Sequence, residues 1–107
     1  MFTKNEDREF KKMLDGVKMK TLVWGTKSSL SKFELDKGAV IPNHRHPHEQ
    51  SGYLISGKIV FIVEGERFEA NPGDGWNLES NVEHGAEILE DSIITEVFSP
   101  VREDYLP

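Results

Sequence analysis

The sequence has no cysteine among its 107 residues, which excludes disulfides, thiolate metal sites and a cysteine nucleophile. It also has little positive charge, because 13 Lys and Arg stand against 19 Asp and Glu and the net charge is −6. A chain of that sign repels a phosphate backbone, so a nucleic-acid partner is disfavoured. The longest apolar run, Ile59–Val63, is far too short to span a membrane.

The chain start is polar. Five charged residues fall within the first ten, so no apolar signal-peptide core forms there and a cytoplasmic protein without a membrane partner is expected. Asn5 or Thr3 is placed to cap a short helix, in which Phe10, Met13 and Leu14 form a narrow apolar stripe at helical spacing. The sequence therefore predicts a short N-terminal helical arm.

The rest of the chain has the pattern of many short strands, with turn residues at intervals of about ten positions. The predicted strands span residues 18–26, 29–35, 39–46, 51–56, 58–64, 66–70, 75–78, 84–88 and 92–98. Glu64-Gly65 between two of them predicts a tight hairpin. Many short strands at this spacing predict an all-β antiparallel sandwich or barrel. The length predicts one domain, with an arm over 1–16, this β region over 17–98 and a C-terminal strap over 99–107.

The histidines are the residues that indicate a functional site. His44, His46 and His48 fall within five positions, and only His84 lies elsewhere. Side chains at i and i+2 of a strand share a face, so His44 and His46 are able to reach one metal ion. Imidazoles joined by an oxygen ligand suit Zn, Ni, Mn, Fe or Cu better than Ca or Mg. The alternative is a polar loop whose histidines are solvated.

Glycines around the histidines resemble the first motif of the cupin superfamily, whose members are small jelly-roll barrels. The match runs from Gly38 over five residues to His44-x-His46, over three to Gln50, and over six to Gly57. Every spacing fits, with Gln50 in place of the usual Glu.

The second cupin motif is matched more loosely. It runs from Gly73 over five residues to Glu79-Ser80-Asn81, over two to His84, and over three to Ile88. Glu79 replaces the usual Pro, Asn81 the usual Gly and Ile88 the usual Asn. Asn for Gly is a mild change, because Asn tolerates left-handed backbone.

The resemblance implies four metal ligands, His44, His46, Gln50 and His84. Glu49, one position out of register, is the competing oxygen donor. A neutral Gln50 leaves the full 2+ charge on one divalent transition metal, which favours Lewis-acid chemistry over dioxygen activation.

Within the superfamily, the region 46–57 and the ending 96–105 resemble the pectin-degradation cupins called KdgF, in which an Asp commonly stands at the position of Glu96. This implies that Glu96 is catalytic. By alternation it shares a face with Phe98, and that face is either the solvated outside or the interior, where a carboxylate must be paired or near the metal. Tyr53, Trp76 and Phe98 are candidates for the pocket wall, with barrel core as the alternative. Arg102 is a candidate partner for a substrate carboxylate, with an exposed strap residue as the alternative.

The functional prediction is a metal-dependent enzyme that opens the ring of a small anionic sugar acid, such as an unsaturated monouronate, to the linear keto form. The alternative is a non-catalytic metal-dependent module that binds a small sugar ligand, and a dioxygenase ranks third. A homodimer is expected, because exposed sheet edges in a small antiparallel barrel are commonly covered by a partner.

Overall fold

Strands make up most of the protein in the computed structural model, which describes residues 1–107 throughout. Alternation between buried and more exposed side chains is typical of strands that have one face on a core. In Ser29–Leu35 every second side chain is buried, as one face of a sheet requires. The strands are β1 (Lys11–Leu14), β2 (Val17–Trp24), β3 (Ser29–Leu35), β4 (Val40–His44), β5 (Glu49–Val63), β6 (Glu66–Ala70), β7 (Gly75–Leu78) and β8 (His84–Ser99).

Two long strands, β5 and β8, organise the barrel. They pair antiparallel along their whole length, from Glu49 opposite Ser99 to Val63 opposite His84. At one end this pair continues into β3, β2 and β1 on one side and β7 on the other; at the opposite end it is flanked by β4 and β6. All eight strands belong to one sheet, whose two halves enclose one core, and the predicted all-β antiparallel barrel is confirmed.

Four of the predicted strands are in fact halves of β5 and β8. The turn residues Ser56-Gly57-Lys58 predict the end of a strand, but the pairing of β5 with β8 continues there through irregular register. Gly57 has φ +102°, and a Cβ on it would lie 2.1 Å from Ser92 Oγ. A glycine here bends β5 without ending it, because bulges kink a strand while keeping its pairing.

The predicted N-terminal helix is wrong. The chain has only a 3₁₀ turn at Asn5–Asp7, and Lys11–Leu14 is a strand that pairs with β2. Asp15 and Gly16 form the connection of this hairpin, with Gly16 at φ +74°. A helix of about ten residues is marginal by itself, whereas the extended chain gains hydrogen bonds along β2.

The C-terminal segment closes one end of the barrel. Tyr105 packs edge-on against Phe33 and Phe98, with ring centroids 6.3 and 5.6 Å apart, and the backbone oxygen of Tyr105 accepts a hydrogen bond from Thr21 Oγ1. A twelve-residue apolar cluster forms the core of the barrel. No helix in the structure has the length and apolar character needed to cross a membrane.

Candidate metal centre

Three histidines converge at one end of the barrel. His44 ends β4 and lies directly opposite His84, the first residue of β8. His46 follows in the bend after β4, and its ring centroid is 4.9 Å from that of His84. One ring nitrogen from each of the three lies within 4.8 Å of the other two. The antiparallel register between β4 and β8 therefore brings together the two cupin motifs, which lie far apart in sequence.

Backbone carbonyls hold all three rings in one tautomer. Each Nδ1 lies 2.9 Å from a carbonyl oxygen: His44 from that of Pro42, His46 from that of His48, and His84 from that of Val82. A carbonyl oxygen only accepts, so each Nδ1 carries the proton and each Nε2 keeps its lone pair. Such a backbone partner commonly orients a metal-binding histidine.

The histidine environment also favours neutral rings. Burial, together with the charges of Arg102, His84 and His44, lowers the pKa of His46 to about 4. Burial likewise lowers the pKa of His84. Neutral imidazoles are the form that ligates a metal.

Gly85 sets the distance between β4 and β8 beside the histidines. A Cβ on Gly85 would lie 2.4 Å from Asn43 Oδ1 and 2.7 Å from the carbonyl oxygen of Ile41. Close approach of the two strands at this point therefore requires a residue without a side chain.

We expect Gly85→Ala to weaken metal binding about ten-fold or more, because moving β4 outward separates His44 from His84. Competition with a chromogenic chelator measures the affinity. Gly25→Ala is the matched control, since a Cβ there meets no atom within 4 Å. Equal affinity in Gly85→Ala and wild type would show that the spacing of β4 and β8 does not set the affinity.

Gln50, and not Glu49, faces the histidines. Gln50 is 6% exposed and lines the same cavity as His44, His46 and His84. Glu49 is exposed on the opposite face of β5, where it accepts a hydrogen bond from Asn77. Alternation along β5 therefore selects the amide as the oxygen donor available to a metal.

Glu96 is a buried carboxylate beside the histidines. Of the two positions that the sequence allows, the solvated outside and the barrel interior, it therefore occupies the interior. Its Oε2 accepts hydrogen bonds from Gln50 Nε2 at 2.5 Å and Trp76 Nε1 at 3.0 Å, whereas Oε1 accepts no hydrogen bond from the protein. Burial raises the pKa of Glu96, and the two donors and Arg102 partly oppose that rise. A carboxyl group with a raised pKa is suited to exchange protons near neutral pH.

A cavity of about 350 Å³ joins these groups, which is within the usual size range of ligand pockets. Phe98 and Arg102 line it, as predicted for a ligand site, and so does Tyr105. Tyr105 is not predicted from the sequence, because a tyrosine in a polar tail gives no indication of burial. The Arg102 guanidinium stacks 3.8 Å above the Tyr105 ring and forms two hydrogen bonds with Asp104, so Arg102 is not an exposed strap residue.

Three other residues do not line this cavity. Tyr53 is 51% exposed on the outer face of β5. Trp76 is outside the cavity lining and donates a hydrogen bond from its indole N–H to Glu96. His48 lines a separate surface groove near Trp24. Successive side chains of β5 point to opposite faces of the sheet. Tyr53 therefore faces outward, because its neighbour Leu54 is fully buried.

The residues present fit a metal ion. His46 Nε2 is buried and has no hydrogen-bond partner in the protein, and a buried polar atom of this kind requires a partner. It lies in the cluster where the other two histidines also present a ring nitrogen. Three neutral imidazoles with a nearby amide oxygen form a donor set for a divalent transition metal.

Comparison with known proteins agrees with this geometry. Residues 31–99 match the model of the cupin domain family. The chain is 30% identical to the pectin degradation protein KdgF of Dickeya dadantii (strain 3937), over 95% of this chain and 94% of that protein. The structure of KdgF from Halomonas sp. superimposes with a TM-score of 0.92 at 31% identity, covering 99% of this chain and 98% of that one.

An RmlC-like cupin from Shewanella frigidimarina NCIMB 400 also superimposes with a TM-score of 0.92, at 30% identity over 98% of this chain and 95% of that one. The family match covers both histidine motifs. The chain therefore belongs to the cupin family and is similar, within it, to the KdgF proteins.

Proposed function

We propose that this protein is a metal-dependent enzyme that opens the ring of a small sugar acid of the unsaturated monouronate type. The observation that carries the proposal is the buried carboxylate of Glu96, placed in one cavity with the three-histidine cluster. The similarity to proteins named for pectin degradation supports a sugar acid as the substrate class.

His44, His46 and His84, with the amide oxygen of Gln50, would hold the metal ion. When bound, a divalent ion in this neutral donor set supplies Lewis-acid polarisation of a ring oxygen or carbonyl. The chain's own part is to fix the three imidazoles through their Nδ1 hydrogen bonds and to surround the reacting atoms with apolar side chains.

Glu96 would carry the proton between oxygen and carbon of the substrate. Its Oε2 is engaged by two donors and its Oε1 accepts no protein hydrogen bond, so Oε1 is the oxygen free to exchange a proton. Ring opening to the keto form is an isomerisation, so a single group that accepts and returns one proton is sufficient.

Arg102 would bind the substrate carboxylate. Its guanidinium lines the cavity, while Nε and one terminal nitrogen are held by Asp104. The second terminal nitrogen has no carboxylate partner in the protein, and a guanidinium fixed in this way loses little freedom on binding.

The test is turnover of an unsaturated monouronate by the metal-loaded protein, followed as loss of the absorbance of the conjugated double bond. We expect substrate consumption that stops on chelation and returns with added metal. Binding of the uronate without its conversion would contradict the enzyme proposal and favour the sugar-binding module. Oxygen uptake by ferrous protein would favour a dioxygenase.

A further inference from the structure

Trp76 reaches Glu96 across an intervening strand. Gly52 of β5 lies opposite Trp76 of β7 on one side and opposite Glu96 of β8 on the other. The indole Nε1 nevertheless lies 3.0 Å from Glu96 Oε2. The side chain therefore spans the width of β5 along the inner face of the sheet.

Gly52 provides the space for that span. A Cβ at position 52 would lie 2.2 Å from Trp76 Cε2 and 2.3 Å from its Nε1, distances that no packed side chain allows. The backbone of Gly52 is not in the left-handed region, so space alone requires glycine here. Phe61 packs against the indole with ring centroids 4.4 Å apart, which fixes the ring over Gly52.

We propose that Gly52 and Trp76 together position the carboxylate of Glu96, a role that rests on the proposed function of that residue. Two donors hold Oε2 from different strands, Gln50 on β5 and Trp76 on β7. This arrangement fixes the rotation of the carboxylate and directs the unbonded Oε1 to the ligand. Trp76 is outside the cavity lining, so it acts on the ligand only through Glu96 and is a positioning residue.

Trp76→Phe keeps an aromatic ring against Phe61 and removes only the N–H donor. We expect kcat to fall about ten- to a hundred-fold, because a loosened catalytic group loses its alignment, with KM and metal content unchanged. Gly52→Ala should give the same loss by displacing the indole. Trp24→Phe is the matched control, since Trp24 makes no contact with Glu96. An unchanged kcat in Trp76→Phe would overturn the proposal, as would a loss confined to melting temperature, which indicates packing alone.

A second measurement does not depend on activity. The chain has two tryptophans, so Trp24→Phe assigns the indole N–H signal of Trp76 in a nitrogen-correlated NMR spectrum. We expect that signal to move upfield in Glu96→Ala and in Gly52→Ala, and to stay in place in Glu90→Gln. An unmoved signal in both variants would overturn the proposal. If wild-type protein leaves unsaturated monouronates unconverted, the proposed function fails, and the NMR signal still decides whether Gly52 and Trp76 fix the carboxylate.

Discussion

Replacing His46 by Ala should lower the metal content of the purified protein from about one ion per chain to almost none. His46 is the half-buried member of the cluster, and its Nε2 has no hydrogen-bond partner in the protein. Loss of one of three imidazoles removes a quarter of the four-donor set and leaves a cavity in its place. Elemental analysis after dialysis against metal-free buffer measures the effect, and activity on a uronate should fall with the metal.

His48→Ala is the matched control for that experiment, because it removes the neighbouring imidazole two residues away. His48 lies outside the cluster, and its backbone oxygen, which orients His46, is kept in the variant. We expect His48→Ala to retain the metal. Absence of metal from both His46→Ala and wild type, even after reconstitution, would show that the histidines are polar barrel lining and would remove the metal from the proposed function. One ion per chain in both proteins would contradict the assignment of His46 as a ligand.

The second large effect is expected from Glu96→Gln, which should lower kcat about 10²- to 10⁴-fold, the range typical of a lost general acid–base. The amide has the size of the carboxyl group, and its oxygen still accepts the Trp76 hydrogen bond, but it does not exchange a proton. The metal content should stay at the wild-type value, because Glu96 is not a member of the histidine cluster. Steady-state kinetics with an unsaturated monouronate measures the loss.

Glu90→Gln tests whether the loss is specific to the site. Glu90 is on the same strand, β8, but is exposed to solvent far from the cavity, so the same chemical change there should leave kcat unaltered. A Glu96→Gln protein with wild-type kcat would remove Glu96 from the mechanism. A variant that lost both metal and turnover would instead assign Glu96 to the support of the metal centre.

Local patterns predicted the sheet well where a strand is amphipathic. Ser29–Leu35 and Gly75–Leu78 have the predicted bounds, because a residue pattern with a period of two predicts a half-buried strand. The Glu64-Gly65 hairpin is confirmed by its position between β5 and β6. Asn81 has φ +64°, as expected for an Asn that replaces a glycine in a left-handed turn.

Predictions failed where tertiary contacts compete with a local preference. The stripe of Phe10, Met13 and Leu14 fits a helix as well as a strand, and pairing with β2 selects the strand. From the sequence, Tyr53 and Trp76 are candidates for the pocket wall, with barrel core as the alternative, and Trp76 packs against the core. Only the register of β5 with its neighbours shows that Tyr53 faces outward and that Trp76 lies behind Glu96.

By itself, the sequence determined the barrel class, the four metal-ligand candidates and the family, because these depend on spacing along one chain. The tertiary structure decided which of the candidate side chains face the cavity together. Pairing of β4 with β8 brought His84 to His44, alternation along β5 turned Gln50 inward and Glu49 outward, and burial made Glu96 an interior acid. These outcomes depend on contacts between residues far apart in sequence, and such contacts exist only after the sheet closes around a common core.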